Sequence, residues 1–307
     1  MPYVPVFPID ATELLASAER RWADIAAARP DLKPALDLQR SLITTVAGLM
    51  VAIERHRLPR LSLPPKYLAA KLSRGVPALA SEPIPLPVAT LTKPLLQLCD
   101  ELRAGGAGEA ADHVRTAIDG GGLEPGSLLA ASLARDHNAI RQGAAHRGLA
   151  PDLVWLVAEL AVSPFVHALQ RSLFSPAADA VARAADEWEH GYCLACGSWP
   201  ALAEVVGGRR VLRCSFCAAG WELNSYACIY CGESAEAFVT AAPDEERKDR
   251  RVEVCSACRA YLKTVDVSEL SPFPLLAIAD LETMDLDIAA LERGYARPPL
   301  RNFESRR

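Results

Sequence analysis

Residues 192–217 read YCLACGSWPALAEVVGGRRVLRCSFC, and two further pairs follow, CIYC at 228–231 and CSAC at 255–258. Two cysteines separated by two residues can place both sulfurs on one ion, because the intervening turn curls around it, and a second pair completes a tetrahedron. The sequence therefore predicts two four-cysteine metal sites in its C-terminal third. The predicted ligands are Cys193, Cys196, Cys214, Cys217, Cys228, Cys231, Cys255 and Cys258.

The spacing of the pairs favours ligation by neighbours along the chain. Between Cys196 and Cys214 lie 17 residues, as expected for a zinc-ribbon or rubredoxin-like site, and between Cys231 and Cys255 lie 23, which is slightly long. The pair at 193–196 recurs after 35 residues and the pair at 214–217 after 41. We expect two copies of one unit, with the pairing in the second copy left open. Zinc and iron both suit four sulfurs.

Glycine follows the second cysteine of each leading pair, at Gly197 and Gly232. Glycine permits the positive φ and the close approach of amide to sulfur that a metal-binding turn needs. Because four thiolates leave no open coordination position, such sites are structural or electron-transferring and not hydrolytic. Dithiol redox centres are the alternative, but these motifs usually occur singly near a βαβ pattern, which this sequence lacks.

Composition and charge disfavour several classes of protein. The net charge of -5 and the pI near 5.8 disfavour nucleic acid and anionic membranes as partners. Residues 1–8 contain no basic residue ahead of an apolar core, so no signal sequence is predicted and we expect a cytoplasmic protein. The longest apolar run, 42–53, is shorter than the roughly 20 residues that span a bilayer, so no membrane insertion is expected.

The pattern along the chain predicts four segments. Apolar residues at three- and four-residue spacing predict a helical domain over 1–188, with seven or eight helices between 10 and 188. Short apolar runs leading into cysteine pairs predict two small rubredoxin-like or zinc-ribbon β modules, at 189–227 and 228–268. The last segment, 269–307, is predicted to form a C-terminal helix that is followed by a proline-rich, charged tail from Arg297.

No other constellation predicts catalysis or cofactor binding, so we expect a protein that is not an enzyme. Cys99 lies in an apolar helical stretch and is predicted to be a buried small hydrophobe. His190 precedes the first pair closely enough to orient or replace a thiolate, although we expect it in solvent or beside the ligands. The glycines at 106 and 108 imitate a dinucleotide fingerprint but follow a predicted helix, so they indicate a loop between helices.

The cysteine region resembles the formate dehydrogenase accessory protein family, the FdhE type. The motifs that carry the resemblance are the Tyr192–Pro200 stretch, the Leu212–Cys217 stretch with Trp221, Cys228-Ile-Tyr-Cys231 and the Cys255–Lys263 stretch. In the C-terminal segment, Ala279-Asp-Leu281, Leu286-Asp287 and Gly294-Tyr-Ala-Arg297 resemble the same family. The resemblance covers about residues 191–300.

The resemblance implies a cytoplasmic assembly factor that acts on the catalytic subunit of respiratory formate dehydrogenase and does not itself oxidise formate. It also implies two rubredoxin-like modules with two metal ions per chain, with iron favoured over zinc, held by the eight paired cysteines. Two other hypotheses stay open at this point: a rubredoxin-like electron carrier or redox sensor, and a zinc-ribbon nucleic-acid binder, which the net charge disfavours.

Overall fold

The computed structural model describes residues 3–6, 10–56, 61, 63–174, 178–242 and 248–299. It divides into two compact units. The helical unit comprises Ile9–Leu61 and Ser81–Leu169, and the cysteine unit comprises Met1–Pro8, Ser62–Ala80 and Gln170–Arg307. The domain boundaries expected at 188, 227 and 268 stay a prediction. Residues 300–307, at the end of the predicted C-terminal tail, lie outside the described residues.

Helices dominate the chain ahead of the cysteines, as the periodicity predicts. They are α1 Ala11–Ala28, α2 Lys33–Arg55, α3 Pro65–Leu72, α4 Val88–Leu102, α5 Gly108–Asp119, α6 Pro125–Leu133, α7 His137–His146, α8 Pro151–Phe174 and α9 Asp179–Asp186. Within the described residues these are nine, where seven or eight were expected. The break between α6 and α7 falls at Arg135, which adopts φ 60° without a glycine or proline to signal it. No break occurs at Pro164, which lies inside α8, although the proline there predicts one.

Local chemistry explains where α1 begins and how it packs in the helical unit. The Asp10 side chain caps the helix and accepts hydrogen bonds from the amides of Thr12 and Glu13 at 2.8 and 3.0 Å. Amides in the first turn of a helix have no partner within the helix, so the cap stabilises this end. Apolar residues recur along one buried face of the helix, and the Trp22 indole donates to Gln39 on α2 at 2.8 Å. Burial of this face fixes α1 against α2.

The cysteine unit contains a seven-stranded sheet in the order β1-β4-β3-β2-β7-β6-β5. Its strands are β1 Tyr3–Val4, β2 Pro200–Val206, β3 Arg209–Cys214, β4 Gly220–Trp221, β5 Phe238–Ala241, β6 Arg250–Cys255 and β7 Ala260–Asp266. Two helices follow them, α10 Leu276–Glu282 and α11 Met284–Glu292, where one C-terminal helix was expected. The predicted class, a helical N-terminal region followed by small β modules and C-terminal helix, is confirmed.

The two β modules share one sheet. All neighbouring strands pair antiparallel except β2 and β7, which run parallel with Ala203 opposite Thr264 and Val205 opposite Asp266. This pairing joins the strands of the first module to those of the second. The sequence did not predict it, because a parallel contact between strands far apart in the chain leaves no local pattern.

Buried charges cross the middle of this sheet. Glu204 on β2 and Arg213 on β3 form an ion pair in which both side chains are 0% exposed. Arg213 also donates to the Ser271 carbonyl at 2.7 Å, and the Ser271 amide donates back to Glu204. A buried charge is tolerated only where such partners replace water. The pair therefore fixes β2, β3 and the segment after β7 in one arrangement.

A second charged network attaches the C-terminal helices to β7. Lys263 is fully buried and donates to Asp287 on α11 at 2.6 Å, and it lies 2.7 Å from Asp280 on α10. The Tyr261 hydroxyl donates to Asp287 at 2.7 Å, and burial together with this bond raises the pKa of Tyr261 to about 12. Arg297 pairs with both aspartates at 2.7 and 2.8 Å. The aspartates thus hold helices, strand and tail together.

In the part of the chain that the structure describes, two helical segments are long and apolar enough to cross a membrane by length and composition. They are Pro30–Arg55 and Pro151–Phe174, with mean hydropathies of 1.3 and 1.5. In the second, 61% of the apolar window is buried within the protein, as in core helices of water-soluble proteins. Length and composition alone are therefore weak evidence for a membrane span here.

We expect Arg213→Met to destabilise the zinc-loaded protein by roughly 3–5 kcal/mol, because it leaves the Glu204 carboxylate buried without its partner. Urea unfolding measures the change. Glu204→Leu combined with Arg213→Met should recover most of the loss. Arg209→Met, which breaks a more exposed pair on the same strand, should cost less than about 1 kcal/mol. Equal losses in Arg213→Met and Arg209→Met would contradict this account.

Candidate metal centres

The structure brings the eight paired cysteines into two groups of four. The first site contains Cys193, Cys196, Cys214 and Cys217, and the second site contains Cys228, Cys231, Cys255 and Cys258. Within each group the four sulfurs all lie within 4.8 Å of one another. The second group also shows which cysteine pairs come together in the second module, a point that the spacing left open. That the eight cysteines bind metal stays a prediction.

Strand register brings each group together. In the first site, one cysteine pair precedes β2 and the other begins at the last residue of β3, where the hairpin places Pro200 opposite Cys214. In the second site, one pair precedes β5 and the other begins at the last residue of β6, with Phe238 opposite Cys255. Each hairpin therefore joins two cysteine pairs that are far apart in sequence, and both modules use the same device.

The sulfur spacing fits a tetrahedral metal ion. A tetrahedron with metal–sulfur bonds of about 2.3 Å has sulfur–sulfur edges of about 3.8 Å. The observed separations are 3.4 Å for Cys196–Cys214 and 3.7 Å for Cys193–Cys217. In the second site, Cys228–Cys258 and Cys231–Cys255 are each 3.6 Å apart. These distances are too long for disulfides, and all the cysteines are free.

All four Cys-x-x-Cys turns have the same backbone form. The amide that follows each pair donates to the carbonyl of the leading cysteine, at 2.8 Å for Gly197, 3.2 Å for Ala218, and 2.8 Å for both Gly232 and Arg259. Each of these four residues has positive φ, between 54° and 83°. The expectation for Gly197 and Gly232 is confirmed. Sequence reasoning missed the other two turns, because alanine and arginine seldom adopt this conformation.

Backbone amides surround the sulfurs of the first site. The amides of Phe216 and Cys217 both lie 3.4 Å from the Cys214 sulfur, and the Ala195 amide lies 3.4 Å from the Cys193 sulfur. Burial raises the pKa of the Cys193 and Cys217 thiols well above its usual value. A bound cation would compensate the negative charge of these sulfurs and favour the loss of their protons. The amides and the donor set together suit a closed metal–thiolate centre.

The remaining candidates lie outside both groups. Cys99 is 0% exposed in the core of the helical unit, as predicted, and burial raises the pKa of its thiol to about 12. His190 does not belong to either group of metal-ligating side chains among the described residues. Its ring stacks on Tyr192 at 4.9 Å and lies edge-on to Trp188 at 4.9 Å. His190 therefore contributes to the aromatic packing beside the first site.

The two sites approach each other closely. A Cβ atom at Gly191 would lie only 2.0 Å from the Ile229 carbonyl oxygen, in the first turn of the second site. Only glycine therefore fits at this position, just ahead of the first turn of the first site. Aromatic rings continue this contact, with Tyr192 lying 6.1 Å from Trp199 and Trp199 lying 4.9 Å from Tyr230. Tyr192 precedes the first site, and Tyr230 lies within a turn of the second. A row of rings thus connects the two groups of sulfurs.

The sites differ in their exposure to solvent. All four cysteines of the first site are buried, whereas Cys231 and Cys258 of the second site are exposed. Aromatic residues are interleaved with the cysteines along the chain. Phe216 and Trp221, at 0% exposure, form a small core beside the first site, whereas Tyr226, near the end of the first module, is 56% exposed. Because two of its four cysteines are exposed, the second site is the more open of the two.

We expect anaerobically purified protein to contain two metal ions per chain, because eight thiols form two complete four-sulfur shells. Replacing Cys193 and Cys196 by serine should remove one ion and make residues 190–227 sensitive to protease while helical circular dichroism persists. Replacing Cys99 by alanine, which removes a thiol from neither shell, should leave both ions. Elemental analysis showing one ion or none in the wild type would contradict the prediction.

The left-handed turns predict opposite effects for two single substitutions. At Gly232, with φ 83° and no atom within 4 Å of a new Cβ, alanine adds backbone strain alone and should cost roughly 1–2 kcal/mol. Zinc affinity of the second site should fall about tenfold in a competition titration. At Ala218, with φ 54°, glycine relieves the same strain and should not weaken the first site. Weakening by both substitutions would argue against this backbone account.

The chain is similar to known proteins in sequence and in fold. The chain is 34% identical over 116 residues to the protein FdhE homolog of Haemophilus influenzae strain PittEE, and 32% identical over 111 residues to that of Stutzerimonas stutzeri strain A1501. These matches cover 36% and 34% of this chain and span 38% and 35% of the relatives. No model of a known protein family matches the chain.

The similarity in fold extends further. The crystal structure of the FdhE protein from Pseudomonas aeruginosa superposes with a TM-score of 0.59 at 24% identity, covering 97% of both chains. At this identity the superposition establishes the shared fold. The resemblance of this chain to the FdhE family is therefore confirmed, in sequence over about a third of its length and in fold over nearly all of it.

Proposed function

We propose that this protein is a cytoplasmic accessory factor for the assembly of respiratory formate dehydrogenase, and that it binds the catalytic subunit through its metal–thiolate modules. The observation that carries the proposal is the pair of four-sulfur sites on a fold shared with an FdhE protein. The sequence similarity to FdhE homologs supports the same role.

The chemistry of the sites argues for action on another protein. When four thiolates bind one ion, no coordination position is left for formate or water. The metal would supply a fixed tetrahedral anchor, and the chain's own amides would compensate the charge on the sulfurs, as at Cys214. Without a position for substrate, the sites can hold the modules in shape, meet a client or pass electrons. The first two activities suffice for an assembly factor.

A specific contact favours a second candidate function, electron transfer. Tyr192, Trp199 and Tyr230 form a row of rings between the two sites, with centroid separations of 6.1 and 4.9 Å. Aromatic rings can carry an electron between two metal ions in short successive steps. Iron held by four sulfurs changes oxidation state without rearrangement of its ligands. A rubredoxin-like carrier or redox sensor would therefore use the same residues.

We expect the purified protein to bind the catalytic subunit directly and to show no formate oxidation. Replacing Cys255 and Cys258 by serine should weaken this binding, because it removes one turn of the more exposed site. Replacing Cys99 by alanine, in the helical unit, should not. Pull-down of the subunit followed by metal analysis of the same sample measures both properties. Equal binding by the two variants would show that the cysteine modules do not contribute to the interface.

In cells, deletion of the gene should abolish respiratory formate dehydrogenase activity while the enzyme's polypeptides are still made. The wild-type chain and the Cys99 variant should restore activity, and the variant lacking Cys255 and Cys258 should not. Full activity in a clean deletion strain under formate-respiring conditions would refute the assembly role. Reversible bleaching of the iron-loaded protein on reduction, together with intact enzyme maturation, would then favour the electron carrier.

A further inference from the structure

Equivalent cysteines of the two modules differ in exposure. The second cysteine of each turn is Cys196 or Cys217 in the first site, with exposed fractions of 6% and 0%. The corresponding residues of the second site, Cys231 and Cys258, are both exposed. The leading cysteines are buried in both sites. The difference is therefore confined to two sulfurs, one from each turn of the second site.

Backbone from outside the module covers the first site. The amides of Ala78 and Leu79, in the segment after α3, donate to the carbonyls of Leu194 and Ala195 at 2.8 and 2.9 Å. These carbonyls belong to the turn between Cys193 and Cys196, and both residues are 0% exposed. The segment after α3 thus lies over the first turn and shields it from water.

The N-terminal strand covers the same site from the β4 side. Tyr3 pairs with Trp221, its ring stacks on Phe174 at 4.9 Å, and its hydroxyl donates to Gln170 at 3.1 Å. Burial raises the pKa of the Tyr3 hydroxyl. These three contacts hold Tyr3 in place, and the N-terminal strand thereby covers the first module.

Among the described residues, the second site has fewer covering contacts than the first, although the Ser256 amide in its second turn donates to the Ala237 carbonyl at 2.8 Å. Behind the second site, the Tyr230 hydroxyl donates to the Tyr261 carbonyl at 3.2 Å, and the Arg259 side chain donates to the Arg293 carbonyl at 2.8 Å. On the other side, the turn residues Ser256 and Ala257 are exposed together with their cysteine neighbour. Among the described residues, the second site has no counterpart to the two covering segments of the first.

We propose that the two sites have different roles: the first is a permanent structural centre, and the second exchanges its metal with a thiol-bearing partner through Cys231 and Cys258. The incoming group would be a cysteine thiol of a protein or a small thiol. Its sulfur takes the coordination position of the Cys258 or Cys231 sulfur, and the proton that it loses is taken up by the departing cysteine. At each such step one metal–sulfur bond would form and one would break, and no atom is oxidised or reduced. Repetition of the step at the remaining sulfurs would transfer the ion to the partner.

The geometry restricts this ligand exchange to the second site. An incoming sulfur must reach the ion beside the sulfur that it displaces, which the exposed pair permits. At the first site, the covering segments must open before any ligand can enter, and the free energy of that opening adds to the barrier. Exchange depends only on the chain's own exposure pattern, so it can be tested whether or not the protein binds formate dehydrogenase.

The test uses the full-length zinc-loaded protein and the chromogenic chelator 4-(2-pyridylazo)resorcinol, with zinc release followed by absorbance. We expect two phases of one zinc each, with the fast phase at least about tenfold faster than the slow one, equivalent to about 1.4 kcal/mol. Added glutathione should accelerate the fast phase in proportion to its concentration and leave the slow phase unchanged. A single phase, or equal acceleration of both phases by glutathione, would overturn the proposal.

Matched variants assign the phases. Replacing Cys231 by serine should remove the fast phase, and replacing Cys196, its equivalent in the first site, should remove the slow phase. Replacing Tyr3 by alanine opens the cover of the first site and should accelerate the slow phase only. Loss of the fast phase on replacing Cys196, with the slow phase retained, would reverse the assignment and refute the proposal.

Alkylation of the wild type decides the question even where a variant fails to fold. Zinc-loaded protein is treated briefly with N-ethylmaleimide, and the modified cysteines are identified by mass spectrometry. We expect modification of Cys231 and Cys258 first, of Cys196 and Cys217 much later, and of buried Cys99 last. Modification of the first-site cysteines as early as those of the second would show that the covering segments do not protect them.

Discussion

Four sulfurs must lie within 4.8 Å of one another in each site, and a Cys-x-x-Cys turn can supply only two of them. Two turns from distant parts of the chain therefore have to meet. The hairpins accomplish this by placing Pro200 opposite Cys214 and Phe238 opposite Cys255. A shift of one residue would turn alternate side chains to the opposite face of the sheet, so the strand register and the sulfur geometry depend on each other.

The sheet in turn depends on charges that water does not reach. Glu204 and Arg213 lie on the strands of the first hairpin, and Arg213 donates to the Ala218 carbonyl in the turn that carries Cys217. Arg210 pairs with Glu253 on β6, which also accepts from Thr264. Breaking such a pair leaves a charge buried, whereas a shifted apolar contact costs less. These pairs therefore favour one arrangement of the strands over nearby alternatives.

Sequence alone predicted what local chemistry determines. The cysteine spacing indicated the two groups of four, and glycine after the leading pairs indicated the positive φ found at Gly197 and Gly232. The remaining turns escaped prediction because tertiary contacts hold their backbone. Arg259 keeps a φ of 59° while its guanidinium lies over the Tyr295 ring at 4.5 Å. The parallel contact of β2 with β7 depends on the whole sheet, so no short segment could reveal it.

Exposure of a ligand is the property furthest from sequence, because it is set by segments outside the motif. The modules share cysteine spacing within each turn, the backbone turn and the hairpin between turns, yet the first is covered by the N-terminal strand and by the segment containing Ala78 and Leu79. Neither segment carries a cysteine. Two nearly equal motifs can therefore acquire different accessibility through neighbours that the motif does not specify. In an accessory factor, this would allow one centre to maintain the fold while the other meets a client.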